Sequence, residues 1–240
     1  MEKRNELYRG KAKTMYSTDD PHRLVMHYRD DVSAFDGVKV AQLEQKGETN
    51  NRINAYVMEK LRATGIRTHF VSLLNERESL VKAMKMIPVE CVVRNVCAGS
   101  MAKRFGLEEG TKLSEPVFEF FLKSDALHDP LCNDDHIRIL GWASAGEIAE
   151  MRALSNAVNA VLKPLFANAG IDLVDYKLEF GHPTDDLKGP LVLGDEFTPD
   201  GCRLWDARTG EKLDKDRFRR DLGDVIGHYR EVGTRIGVPW

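Results

Sequence analysis

Residues 171–181, IDLVDYKLEFG, constrain the fold of this chain more than any other stretch. Side chains of a strand alternate between two faces, so Val174, Tyr176, Leu178 and Phe180 share one face and Asp175, Lys177 and Glu179 the other. Burying the apolar set fixes the register and leaves an acid, a base and an acid in a row over about 13 Å at the usual strand rise. A second apolar run, Leu191, Val192 and Leu193, leads straight into Gly194, Asp195 and Glu196. Pairing the two runs as a hairpin brings Asp195 towards Glu179. Two carboxylates on neighbouring strands repel unless a cation lies between them, and a hard divalent ion such as Mg²⁺ with bound phosphate oxygens suits that place. The plainer reading is a charged face open to water. The bulky apolar neighbours weigh against it, because they mark a core strand.

At 240 residues the chain can form one large domain or two small ones with proper cores. A net charge of −3 supplies no general field for nucleic acid or an anionic membrane, so any anion site has to be a local cluster of Lys and Arg. No stretch reaches the length of a membrane span. The first residues, MEKRNELYRG, lack the apolar region of a signal peptide, and cytoplasm is the expected compartment. Cys91, Cys97, Cys132 and Cys202 show no C-x-x-C spacing and no adjacent His pattern, which argues for reduced thiols rather than zinc or disulfides.

Along the chain, residues 5–16 read as a hairpin closed around Gly10, Lys11, Ala12 and Lys13, with a third strand at 23–28. Lys11 and Lys13 are either an ordinary basic turn or paired charges laid along a polyphosphate. The strand–glycine turn–strand order is that of the phosphate-covering loop of kinases, and no Walker sequence is present. RDDVSAFDG reads as a polar connection in which Asp36 shapes a turn or faces a ligand. A helix is predicted over 49–64, followed by strands at 69–75 and 79–86. Residues 84–88 read as a Met-rich crossing with free backbone groups, able to take a flat apolar ring or simply to fill core space. A domain boundary is placed here, between 1–87 and 88–240.

The strand VECVVRNVC (residues 89–97) puts Glu90 and Arg94 on one side, where both need partners. It leads to Ser100 as the expected N-cap of a short helix, which is either a plain capped helix or, with Arg94, Lys103 and Arg104, a place for a monophosphate. FEFFLK ends a strand on Lys123, and Asp129 lies in the polar loop beyond it. Ser144 and Glu147 form a capping box for the longest helix, with Pro164 as a kink and Gly170 as its end. Arg203 and Trp205 sit on a strand after the Pro199–Asp200–Gly201 turn, with Arg203 a second phosphate candidate. A last helix is predicted over 215–236, with Phe218, Leu222, Val225, Tyr229 and Val232 on its packed face and some exposed apolar residues that would suit a dimer contact.

Taken together, LYRGKAKTMYST, SAFDG, IPVECVVRNVCAGSMAKR, LVDYKLEFG, LVLGDEF and TPDGCRLWD occur in an order that resembles the SAICAR synthetase family of purine biosynthesis over essentially the whole chain. The resemblance implies an ATP-dependent ligase joining the carboxylate of CAIR to the amine of L-aspartate. It also implies an α+β fold: a small N-terminal antiparallel domain like a kinase small lobe, a larger ATP-grasp-like α+β domain, and ATP in the cleft between them. By the same resemblance Lys11, Lys13 and Lys123 would contact ATP phosphates, and the backbone from Lys82 to Met84 would meet adenine. Glu179 and Asp195 would hold Mg²⁺. Arg94, Ser100 and Arg203 would hold the CAIR phosphate, with Asp36 and Asp129 also facing substrate. Lys177 would stabilise charge at the activated carboxylate, and Asp175 is the candidate acceptor of the amine proton. A small-molecule kinase and a non-catalytic nucleotide-binding module remain the rival classes.

Overall fold

The computed structural model describes residues 1–240. Its first part runs β1 (Lys3–Arg9), β2 (Lys13–Thr18), β3 (Arg23–Tyr28), β4 (Asp31–Ala34), β5 (Lys39–Gln42), α1 (Lys46–Ala63), β6 (Phe70–Asn75) and β7 (Glu78–Lys82). Five of these strands form an antiparallel sheet in the order β1-β2-β3-β7-β6, and β4 and β5 form a separate hairpin. RDDVSAFDG, read as a polar connection, forms the first strand of that hairpin, and the turn at Asp36 and Gly37 falls where the sequence puts it. Phe35 and Asp36 turn its corner with φ of 54° each, followed by Gly37 at 90°.

The second part runs β8 (Met84–Val96), α2 (Gly99–Phe105), β9 (Lys112–Leu122), β10 (Leu131–Cys132), α3 (Asp134–Ile139), α4 (Ala145–Asn168), β11 (Ile171–Pro183), β12 (Val192–Gly194), β13 (Cys202–Asp206), α5 (Asp216–Arg219) and α6 (Val225–Ile236). Its sheet is ordered β10-β9-β8-β11-β12. β11 is central: one edge pairs with β8, and the other is shared by β13 along Ile171–Tyr176 and by β12 along Glu179–Gly181. β8 runs unbroken through residue 87, so the change of sheet falls between Lys82 and Met84 rather than at 87/88. The crossing is also not rich in free backbone groups. Met84, Lys85 and Met86 pair with Pro183, His182 and Gly181 of β11, and the Pro88 carbonyl accepts from the Lys123 amide; just before them, the amides of Lys82 and Ala83 donate to the His69 and His22 carbonyls.

A register shift in the β11–β13 pairing, where Leu173 faces Leu204 and Asp175 faces Arg203, changes the alternation read from the sequence. Ile171 and Leu173, then Tyr176, Leu178 and Phe180, enter the main core, while Val174 packs apart with Ala98 and Trp205. That core is a single cluster of 33 buried residues, drawn from α1, β8, α4, β11 and α6 among others. α1 therefore joins the two parts of the chain instead of serving the first sheet alone. It starts at Lys46, three residues before the predicted 49, because the Asp30 carboxylate accepts from the Gly47 amide at 2.9 Å. A side chain at Gly47 would meet the Tyr28 carbonyl at 2.4 Å, so the close approach of helix and strand requires glycine.

The Ser144–Glu147 capping box forms as read, and Ile148, Met151, Val158 and Leu162 line the buried face of α4. The predicted last helix is broken in two. Arg217 sends its guanidinium to the carbonyls of Leu222 and Gly223 at 3.0 and 2.8 Å, and Asp221, Gly223 and Asp224 adopt positive φ. Leu222 is consequently exposed, whereas Val225, Tyr229, Val232 and Ile236 are buried. All four cysteines are unpaired, and no helix is long and apolar enough to cross a membrane.

One buried ion pair ties α1 to α6. The Lys46 ammonium lies 2.6 Å from Asp200 Oδ2, which also accepts from Asn50 at 2.9 Å, while Asp200 Oδ1 accepts from the Tyr229 hydroxyl at 2.8 Å. Burial alone would push the Asp200 carboxyl up; Lys46 and then Lys215 outweigh it and hold the group well below its ordinary value. Its stabilising effect is complete above about pH 4 and drains away as pH falls towards the depressed native value. Asp200→Asn leaves Lys46 buried without a counter-charge and is expected to lower the unfolding free energy by about 3–5 kcal/mol at pH 7 in urea denaturation. The gap to the unaltered protein should narrow below about pH 4.

Candidate active site

β11 carries two charged centres on the face turned away from the main core. The first surrounds Glu179, of which 1% is exposed. Glu179 faces Glu90 on β8 and Gly194 on β12 in the ladder, so the turn after β12 brings Asp195 alongside it. The Lys177 ammonium bridges them, bonding Glu179 and lying 3.1 Å from Asp195 and 3.2 Å from Glu90. Lys123 bonds the other oxygen of Glu179. Lys13, from the first sheet, bonds Asp195 and lies 2.9 Å from Glu196. Asp195 has φ of 53°, a kink that turns both Asp195 and Glu196 onto the same lysine.

Electrostatics in this centre are dominated by burial set against neighbouring charge. Burial would raise the Asp195 carboxyl, yet Lys13, Lys177 and Lys123 hold it well below its ordinary value. Burial would lower Lys177, yet Asp195, Glu179 and Glu90 hold it well above. Glu90 moves the other way: burial raises it, with Lys177 only partly compensating. His69, buried next to the cluster, is pushed down to about 4 by burial and stays neutral at physiological pH.

The second centre surrounds Asp175, of which 3% is exposed. Its ladder neighbours are Arg94 on β8 and Arg203 on β13. Each guanidinium donates through Nη1 to Asp175 Oδ2 at 2.8 Å. Arg94 also donates to the Ser100 hydroxyl at 2.9 Å and to Glu119 at 2.6 Å, and Arg203 donates to Asp216 at 3.1 Å. Ser100 is thus a ligand of Arg94 and not a helix cap; Ala98 occupies the cap position of α2. A carboxylate held by two guanidiniums is committed to those bonds. Asp175 therefore fits a support for the arginine pair better than the proton acceptor expected from sequence.

The remaining candidates lie at the rim. Lys11 reaches Asp125 at 2.7 Å, Asp36 pairs with His128 at 2.8 Å, and Asp129 accepts from the Ser124 amide at 2.8 Å. The loop 123–129 thus meets both the Lys11 turn and the β4–β5 hairpin. Lys82 and Met84 stand at the junction of the two sheets, with no bond to either charged centre. Sequence reasoning did not single out Glu119, Asp125, His128, Glu196 and Asp216. Glu119 had a signal in its position between Phe118 and Phe120, which puts it opposite two aromatic rings on the strand.

No group of three or more His, Cys, Asp or Glu side chains is placed to hold a metal by itself. Glu179 and Asp195 do offer hard oxygen donors side by side. Such a pair suits Mg²⁺ when phosphate oxygens and water complete the shell.

Residues 6–236 match the SAICAR synthetase family model. The phosphoribosylaminoimidazole-succinocarboxamide synthase of Idiomarina loihiensis is 62% identical over 238 residues, 99% of each chain. The crystal structure of the Ehrlichia chaffeensis phosphoribosylaminoimidazole-succinocarboxamide synthase superposes with a TM-score of 0.96 at 44% identity, covering 98% of this chain and all of that one. A SAICAR synthetase solved in complex with ADP gives 0.93 at 44% identity, again over 98% of this chain and all of the other. The chain belongs to the SAICAR synthetase family.

Proposed function

We propose that the two centres on β11 divide the work of an ATP-dependent ligase that joins the carboxylate of CAIR to the amine of L-aspartate, giving SAICAR, ADP and phosphate. The observation that carries this reading is their placement on one face of one strand, about 13 Å apart from Asp175 to Glu179 at the usual rise. An extended ribonucleotide can bridge that span with its phosphate at the arginine end and its carboxylate at the lysine end. The arginine pair and the Ser100 hydroxyl supply charged and neutral donors suited to a phosphate monoester.

A carboxylate is a poor electrophile, and an amine cannot displace oxide from it. A carboxylate oxygen of CAIR therefore attacks the γ-phosphorus of ATP, the bond to the β-phosphate oxygen breaks, and ADP leaves. The aspartate amine then attacks the carbonyl carbon of the acyl phosphate, phosphate departs with the bonding pair, and it takes the proton that the nitrogen loses in giving the amide. Lys13 and Lys123 neutralise the phosphate chain, with Lys11 at the mouth of the cleft. Lys177, placed among three acids, is released to the activated carboxylate when phosphate oxygens arrive. Glu179 and Asp195 would hold Mg²⁺, which supplies charge neutralisation to the transferring group when bound.

ATP is assigned to the cleft between the five-stranded sheet, acting like a kinase small lobe, and the six-stranded sheet of an ATP-grasp-like body. Lys13 supports this, since it crosses from the first sheet to Asp195 at the second. Met84, where the two sheets meet, is the candidate side chain against adenine. Asp36, Asp129 and the rim they form with loop 123–129 are assigned to the substrate side.

The test is product analysis with ATP and CAIR, with and without L-aspartate. SAICAR should form only with aspartate, in equal amount with ADP; a stable phosphorylated product made at full rate without aspartate would indicate a kinase instead. Glu179→Gln should lower kcat by about 100-fold or more, the usual cost of removing one electrostatic contact to a developing charge. Arg203→Lys, which loses the planar fork, should raise KM for CAIR about tenfold while leaving KM for ATP within about twofold.

A further inference from the structure

The arginine pair does not end at Asp175. From α2 to α5 the side chains form an alternating series, Arg104–Glu119–Arg94–Asp175–Arg203–Asp216–Arg219, each in contact with the next. Glu119 and Asp216 are both nine-tenths or more buried. Glu119 lies on β9 and Asp216 on α5, so two separate elements grip the arginines from outside the β8–β11–β13 ladder. The inner carboxylate alone is a poor anchor: both guanidiniums bond the same oxygen, Asp175 Oδ2, so one negative charge faces two positive ones.

The outer acids take the Nε atoms. Arg94 Nε donates to Glu119 and Arg203 Nε to Asp216, while both Nη1 atoms point at Asp175. With Nε and one Nη fixed, a planar guanidinium has no remaining rotation. Arg94 then presents Nη2 to Ser100, and Arg203 Nη2 donates to no protein atom. Gly99 completes the arrangement. Its φ is 55°, and a Cβ there would lie 2.4 Å from Arg203 Nη2, so the guanidinium rests against bare backbone.

We propose that Glu119 and Asp216 are positioning residues for the substrate phosphate: they lock the planes of Arg94 and Arg203 against the Gly99–Ser100 backbone, leaving Arg203 Nη2 and the Ser100 hydroxyl to donate to it. This rests on the assignment of the arginine pair to the CAIR phosphate. The four arginines outnumber the three acids of the series, so the locked array keeps the surplus positive charge that a phosphate monoester meets.

Full-length Glu119→Gln, Asp216→Asn and Gly99→Ala are the variants to measure, the last because it displaces Arg203 without touching either acid. Each is expected to raise KM for CAIR about tenfold, with kcat and the KM values for ATP and aspartate within about twofold, because charge-assisted geometry at the phosphate is lost and nothing else. Ribose 5-phosphate, as a competitive inhibitor against CAIR, should weaken by the same factor. A purely structural role predicts a different pattern, in which all three KM values, kcat and the thermal midpoint move together, and that result would overturn the proposal. So would an unchanged KM for CAIR in Asp216→Asn and Gly99→Ala, which decide the matter should Glu119→Gln fail to fold. If Arg203→Lys leaves KM for CAIR unchanged, the phosphate assignment itself fails; if Arg203→Lys raises it and the outer variants do not, only the positioning role fails.

Discussion

Seven charged-type side chains share the small volume where the two sheets meet: Lys13, Lys123 and Lys177 against Glu90, Glu179, Asp195 and Glu196. Taking so many charges out of water is unfavourable unless each has an opposite partner at contact distance. The cluster meets that condition by sharing. Lys177 serves three acids and Lys13 two, so no acid is left alone and no lysine is idle. The same sharing makes the cluster exchangeable. On the reading proposed above, the negative oxygens of a polyphosphate would give the lysines new partners and leave the carboxylates for a cation. On that reading, the groups that hold the site in its folded shape are the ones that would bind substrate.

The cluster depends in turn on the central position of β11. Because β12 and β13 divide one edge of that strand, Glu179 meets the Asp195 turn while Asp175 meets Arg203. Asp175 and Glu179 share one face by ordinary alternation, and the register shift beside Val174 brings Leu173 and Tyr176 into the same core. Without it, the core residues Leu173 and Tyr176 would point to opposite sides, and either the core or the charged row would be broken. α1 and the Lys46–Asp200 pair then hold the 195–203 segment, which carries Asp195 at one end and Arg203 at the other. A single loop therefore links the two centres through the backbone, in addition to the strand that displays them.

Much of this was legible in the sequence, for local reasons. The alternation at 175–179, the hairpin to 191–193 and the capping box at Ser144 depend on residues within a few positions of each other. What was illegible depends on distant partners. The start of α1 is set by Asp30, 17 positions from the amide it caps. The break before α6 keeps perfect helical spacing of Phe218, Leu222, Val225, Tyr229 and Val232, so it shows only in the folded chain, in the positive φ of Asp221, Gly223 and Asp224 and in the Arg217 bonds to the Leu222 and Gly223 carbonyls. The crossing at 84–88 reads as open because the strand that pairs with Met84, Lys85 and Met86 lies about a hundred residues on, at Gly181–Pro183. Glu119 reads from sequence as the polar side of an alternating strand, and only the sheet order puts Arg94 beside it. Roles for the rim residues Asp36 and Asp129 came from family resemblance, since an exposed aspartate in a turn has no local signature of binding.

The central claim is that one strand displays both ends of the substrate path. It is tested most directly by a crystal structure of the protein with CAIR and a non-hydrolysable ATP analogue. The account predicts the CAIR phosphate within hydrogen-bond distance of Arg203 Nη2 and the Ser100 hydroxyl, with its carboxylate beside Lys177 and the γ-phosphate of the analogue. A CAIR phosphate bound away from the arginine pair, or a nucleotide whose phosphates lie outside the reach of Lys13 and Glu179, would contradict it.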